Sequence, residues 1–455
     1  MTKIRSVMVE LKDVRLRLLE EFPPVPTPAW EEAIAKDLKG ADYEKRLVWK
    51  TDEGIAVRPY YRAEHAVARP PLSRLAATWE LVPPGTEPPP SVSAIEHHEA
   101  GATAVQEVAF AVAEGVERVA AGEAVDSLGF AIGSNHFMEI AKLRAVRLLW
   151  AQAEAAFGRT PSTVRIHART AGENKTLFDP HVNMLRVTTE ALSAVLGGCD
   201  SLTITPCGFD AHLADNVHHI LREESHLDKV LDPGAGSYYV EALTDAVARQ
   251  AWTLFQAIEA AGGFAAWRAS GALDAALSKA REGKEKAVAT RRRVLVGTNN
   301  YPNVAERRLD AASRMPGGWR LASAFEAIRL RTERHAAATG RTPRVLLLEH
   351  GDLKTRKARA AFCLNFFGCA GFDVARGESV ADADLVVLCS SDPEYLALAK
   401  DVCPRTTAPV IVAGNPKDQI DALKEAGVAD FVHVGSNAVD TLTSWQHRLG
   451  IEDNR

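Results

Sequence analysis

The alternation of apolar and polar positions is clearest between residues 99 and 261. A β-branched run from Val164 to Ile166 predicts a strand over 164–167, followed by a polar turn with Thr170, Gly172 and Asn174. Leu185, Leu192 and Val195 fall near one side of a predicted helix over 183–196, and Gly197-Gly198 stops it. A strand over 201–205 and a helix over 243–261 follow. Upstream, Val105, Val108, Ala109 and Val112 form the apolar stripe of a helix beginning near Thr103. Ser127 to Ile132 reads as a strand, and Asn135 stands where it can cap the next helix, marked by Ile140, Leu143 and Arg147. Repetition of strand, polar loop and helix predicts a parallel α/β sheet. In such sheets the loops at the strands' C-terminal ends usually carry the chemistry.

Residues 343–450 repeat the pattern with shorter units. RVLLLE, GFDV, DLVVLC, PVIVAG and DFVHVG alternate with helical stretches, which predicts a flavodoxin-like doubly wound sheet. A helix in LASAFEAIRLRTERHAAATG leads into it. At the other end, residues 1–22 read as a charged amphipathic helix, ended by a proline-rich run. A short helix from Trp30 to Leu38 and an extended segment around Glu53-Gly54 complete an N-terminal arm. Residues 63–92 differ from the rest: they hold seven prolines and one short strand candidate, Thr78 to Val82. Each βα unit takes about 30 residues, so this stretch is too short for several.

Composition narrows the class. Hydrophobic content of 46% and charged content of 25% are ordinary for a globular protein, and 455 residues suggest two or three domains. A net charge of −5 gives no basic footprint for nucleic acid. No run reaches the roughly 18 apolar residues of a membrane span, and the charged N-terminus lacks the core of a secretory signal. The six cysteines form no CxxC pair and read as buried free thiols of a cytoplasmic protein.

Several stretches are also recognisable. EAGATAVQEVAFAVAEGVERVAAG, GSNHFMEIAKLRA, HARTAG at His167–Gly172, FDPHVNMLRVTTEALSAVLGG, REES at Arg222–Ser225 and DPGAGSYYVEALT resemble adenosylcobalamin-dependent methylmalonyl-CoA mutases. Within that family the chain is similar to the small, non-catalytic subunit of the heterodimeric enzymes, in a shortened form. The resemblance implies an arm (1–62) and a Pro-rich connector in place of the early barrel (63–92). It implies next a partial, TIM-type β/α barrel (93–285), a linker (286–342) and a degenerate cobalamin-binding-like domain (343–455).

The same resemblance tells where chemistry would sit. The family's catalytic histidine falls on Glu96, with His97 and His98 beside it. A CoA-contacting pair falls on Val125 and Ser127, so the serine matches and the arginine does not. His167, Arg169 and Thr170 occupy a matching polar strand end; they are either vestiges of a substrate site or hydrogen-bonding groups of the barrel rim. The Asp-x-His-x-x-Gly loop that ligates cobalt is absent from HGDLKTRKARAAF, where His350, Lys354 and Arg356 stand instead. A cation cannot ligate cobalt as a neutral imidazole does. The loop at Asp232–Ser237 could cradle a phosphate but reads better as a turn before its helix.

The implied role is structural support of a large catalytic subunit that carries adenosylcobalamin. That subunit interconverts (R)-methylmalonyl-CoA and succinyl-CoA, while this chain contributes no catalytic residue, no metal ligand and no cofactor site. Two alternatives stay open at this stage: an active acyl-CoA mutase with a displaced cobalt ligand, and a regulatory acyl-CoA-binding protein.

Overall fold

The computed structural model describes residues 22–67, 74, 76–160, 163–310 and 318–452. Residues 1–21 of the helix expected over 1–22 and two of the connector prolines, Pro70 and Pro71, lie outside them. The chain divides into two compact units, one of residues 1–51 with 56–60 and one of 52–55 with 61–455.

The first unit is small. Helices Thr27–Asp37 and Tyr43–Leu47 bury none of their residues, and strands β1 (Trp49–Lys50) and β2 (Ala56–Val57) pair antiparallel. Trp30 and Tyr60 pack with their rings tilted at 49° and centroids 5.2 Å apart, while Phe22, Trp30 and Trp49 remain exposed.

The second unit contains two five-stranded parallel sheets. The first has the order β3-β7-β6-β5-β4, with β3 Glu80–Leu81, β4 Val92–Ser93, β5 Ser127–Ile132, β6 Arg165–Thr170 and β7 Ser201–Thr203. Strands β4 to β7 follow one another as successive barrel strands do, and β3 adds to the far side of β7. The sheet does not close, because β3 and β4 stand at opposite edges. The Pro-rich segment does more than connect: it supplies both edge strands. Each is two residues long, too short for hydrophobic alternation to reveal.

Helices Ala104–Ala120, His136–Ala156 and Tyr238–Ala260 pack on one another, and Pro180–Gly197 packs on the second of them. The first begins where expected, and Thr103 caps it, its hydroxyl accepting from Gln106 N while the Gln106 side chain accepts from Thr103 N. Asn135 holds the cap position of the second, but its side chain makes no capping bond. Gly198 ends the Pro180–Gly197 helix at φ 86°, a left-handed value that glycine adopts without strain. Leu185 does not join Val195 in the core; it faces solvent, and the buried stripe runs instead through Asn183, Val187, Glu190 and Ala194.

The second sheet is β12-β11-β10-β8-β9, with β8 Arg344–Glu349, β9 Asp373–Arg376, β10 Leu385–Cys389, β11 Val410–Ala413 and β12 Val428–Val432. Read from β9, the domain's strand order is 2-1-3-4-5, that of flavodoxin. The protein is therefore a partial β/α barrel followed by a flavodoxin-like domain. Helix Ser323–Thr339 joins the two: Arg329 lies over the Phe178 ring at 3.9 Å, and Glu326 accepts from Leu177 N at 2.6 Å. Five of the six cysteines are buried, and all six are free thiols.

Candidate functional site

Strand alternation divides the barrel sheet into two faces. Leu128, Phe130, Ile132, Ile166, Ala168 and Leu202 share the apolar face, the one suited to the connecting helices. Ser127, Gly129, Ala131, His167, Arg169, Ser201 and Thr203 share the other, which in a closed barrel lines the lumen. Here the chain itself crosses that second face. Leaving β3, it must pass three intervening strands to reach β4. Val82 O accepts from Thr203 Oγ1 at 2.9 Å, and the Pro90 ring lies over Gly129. Proline has no N–H to leave unpaired, so a proline-rich segment can cross a sheet without pairing to it.

The expected site residues are not gathered into one site. Ser127 starts β5, at the N-terminal end of the sheet. Its hydroxyl donates to Asp126 Oδ1 (2.9 Å) and accepts from Ser91 N (3.0 Å). Four residues further along the neighbouring strand, about 13 Å away, Arg169 sits 3.7 Å from Glu99 Oε1. His167 is buried on the same face and pairs across strands with Ser201 Oγ at 2.9 Å. Burial lowers its pKa, and its Nε2 has no hydrogen-bond partner. Thr170 points to the opposite face, where its hydroxyl accepts from Thr205 N.

Glu96 is exposed. His97 packs edge-on against Phe110 and Phe264, and burial lowers its pKa. His98 is buried and pairs with Glu107 Oε1 at 2.8 Å. It belongs to a buried ionic network that the sequence reading missed. Lys142 Nζ meets Glu107 at 2.9 Å, Glu139 at 2.6 Å and the Ala131 carbonyl at 2.6 Å, while Lys284 meets Glu173 at 2.9 Å. Burial alone would lower the Lys142 pKa; Glu107 and Glu139 outweigh it and raise the pKa. Burial likewise opposes ionisation of Glu173, but Lys284 and His98 bring it down to about 2. The network ties helix Ala104–Ala120 to helix His136–Ala156 through Lys142. Burial raises the Glu139 pKa even beside Lys142, and His98 Nε2 has no hydrogen-bond partner. A cue was available: Glu107 stands at i, i+3 and i+4 spacing with Ala104, Phe110 and Ala111, an otherwise apolar face of the same helix.

In the second domain, ligands of this fold bind at the strand C-termini where the order reverses, between β8 and β10. His350 ends β8 on the surface; its N–H donates to Cys389 O, and its carbonyl accepts from Ser390 Oγ. Lys354 (exposed) and Arg356 (half-buried) lie in the first turn of helix Leu353–Gly368. The crevice itself is filled. Glu394 accepts from Ser390 Oγ at 2.7 Å and Ser391 Oγ at 2.6 Å, which hold its pKa down at about 2. A Cβ on Gly351 would overlap that carboxylate. Arg359 closes the far side, donating to Tyr395 OH, to the Ala413 carbonyl and to Asp392 at 2.6–2.7 Å. A group entering here would meet the Glu394 carboxylate and the Arg359 guanidinium already engaged in these bonds. Among the described residues no cluster of His, Cys, Asp or Glu could hold a metal ion.

Comparison with known proteins places this geometry. Residues 88–342 match the family model described as methylmalonyl-CoA mutase. A methylmalonyl-CoA mutase small subunit of Porphyromonas gingivalis is 30% identical, over 96% of this chain and 99% of the relative. The chain belongs to the methylmalonyl-CoA mutase family. That alignment spans 616 residues, more than this chain's 455, so this chain is gapped against its mutase relative. A small subunit of Streptomyces virginiae is 34% identical over 79% of this chain, which spans 64% of that relative. The Escherichia coli protein named methylmalonyl-CoA mutase is 39% identical, but over only 46% of this chain. Among these mutases, similarity along most of the chain is to small subunits. No helix among the described residues is long and apolar enough to cross a membrane.

Proposed function

We propose that this chain is the non-catalytic small subunit of a heterodimeric methylmalonyl-CoA mutase, supporting a catalytic subunit that interconverts (R)-methylmalonyl-CoA and succinyl-CoA. The partner carries the adenosylcobalamin and the radical chemistry; this chain binds no cobalamin and works in the cytoplasm. The observation that carries the reading is the crossing of residues 83–91 over the inner face of the barrel sheet, with Pro90 on Gly129. A substrate thioester would need that space. The filled crevice at Glu394 and the exposure of Glu96 support the same conclusion.

The test is co-expression with a catalytic methylmalonyl-CoA mutase subunit, followed by size-exclusion chromatography and turnover assays. The two chains should co-elute, and this chain alone should not isomerise methylmalonyl-CoA. Turnover by this chain alone, or a chain that ignores the catalytic subunit at micromolar concentration, overturns the reading.

A further inference from the structure

We propose that residues 291–304 form a preshaped docking strap for an acidic, partly apolar surface of the catalytic subunit. The inference rests on the small-subunit reading above and names the surface that serves it.

Four apolar side chains of the strap face solvent: Val294 is 46% exposed, Val296 42%, Tyr301 68% and Val304 39%. Arg292 is exposed with the first two, while Leu295 between them is buried, so the segment turns alternate residues outward. Its neighbours extend the surface. Arg186 donates to Val296 O at 3.1 Å from the helix that also exposes Leu185, and Asn365 accepts from Tyr301 N at 2.7 Å beside the exposed Leu364. Single exposed apolar residues need no explanation, but a group on one strap and the two helices that hold it marks an interaction surface.

The strap is exposed yet firmly held. Asn299 is wholly buried; it accepts from Leu295 N at 2.7 Å and donates to the Val288 and Arg293 carbonyls at 3.1 and 2.8 Å. Arg291 (φ 57°) and Tyr301 (φ 52°) sit in the left-handed region, where a bulky residue is strained. Glycine or asparagine would be easier at 301. Tyrosine there instead projects a large amphipathic ring from a fixed backbone, the type of group that dominates interface energetics with little ordering cost. Charge indicates the partner's sign. The strap itself, 291–304, has three arginines and no acidic residue in a chain of net charge −5; Asp52 answers Arg293, and Arg292 is exposed. An acidic rim on the partner complements it.

The experiment measures affinity between the full chain and the catalytic subunit, together with the Tm of each variant. Tyr301→Gly, the double variant Val294→Ser/Val296→Ser, and Arg292→Glu should each weaken binding about 10-fold or more. The Arg292→Glu loss should shrink at high salt. Tyr301→Gly removes the left-handed strain, so its Tm should hold or rise while affinity falls. Val434→Ser, at an exposed site on the flavodoxin-like domain, should bind as the native chain does. Native-like binding by all three strap variants overturns the strap and leaves the small-subunit reading intact. A Tyr301→Gly variant that loses Tm and binding together assigns the residue to folding and overturns its docking role. Failure of the native chain to bind the catalytic subunit overturns both proposals.

Discussion

Pro90 lies against Gly129: a Cβ built on that glycine would stand 2.7 Å from the proline Cγ, closer than real Cβ atoms approach. The pair joins the crossing segment to the middle of the sheet's inner face. A proline ring cannot swing aside as a long side chain can. Gly129→Leu should therefore destabilise the chain by about 1–3 kcal/mol through overpacking, read by denaturant unfolding. Unchanged stability would show that the segment does not rest on the sheet.

The crevice filled by Glu394 predicts a null titration. Adding adenosylcobalamin to the purified chain should leave the visible spectrum that of free cofactor, and His350→Ala should change nothing. A base-off, histidine-ligated spectrum at micromolar affinity, abolished by His350→Ala, would falsify the proposal that this chain holds no cobalamin.

Lys142 is the central cation of the buried network, within 2.9 Å of both Glu107 and Glu139. Lys142→Met leaves two carboxylates buried without it. The expected cost is about 3–5 kcal/mol, the range for removing one partner of a buried pair. Adding Glu107→Gln should recover part of it. Thermal melts of the two variants decide, and a double variant less stable than the single would contradict the pairing.

Trp79, just before β3, donates its indole N–H to His218 Nδ1 at 3.1 Å, and both side chains are buried. An indole can only donate, so Nδ1 must stay unprotonated. Burial depresses the His218 pKa to about 4. A depressed histidine favours the neutral folded form: its stabilisation is full above the unfolded value near 6.5 and declines as pH falls towards 4. His218→Gln keeps an acceptor for Trp79 but removes the titration. Stability curves between pH 7 and 4 should be flatter for this variant than for the native chain; parallel curves would rule His218 out as a source of acid sensitivity.

The N-terminal arm leaves Phe22, Trp30 and Trp49 exposed. If these aromatics anchor the catalytic subunit, deleting residues 1–45 should weaken association far more than it lowers the Tm of the remaining chain. Size-exclusion chromatography and thermal melts compare the two effects. A large Tm loss with unchanged association would place the arm's role within this chain.

The sequence by itself determined the two-domain α/β plan and the family. Strands such as Ser127–Ile132 and Arg344–Glu349 are buried apolar runs, and Gly198 and the Thr103 cap punctuate them through local backbone chemistry. Those signals are local, so they survive in one dimension. Two-residue edge strands carry no such period, and only the tertiary structure placed Glu80–Leu81 beside β7 and Val92–Ser93 beside β5. Chemistry followed the same division. The absence of an Asp-x-His-x-x-Gly loop is legible in the letters. The burial of His98 with Glu107, the pairing of Lys142 with Glu107 across 35 residues, and the filling of the crevice by Glu394 are not. These depend on which side chains meet in space, and charges far apart in sequence come together only when the packed chain excludes water around them.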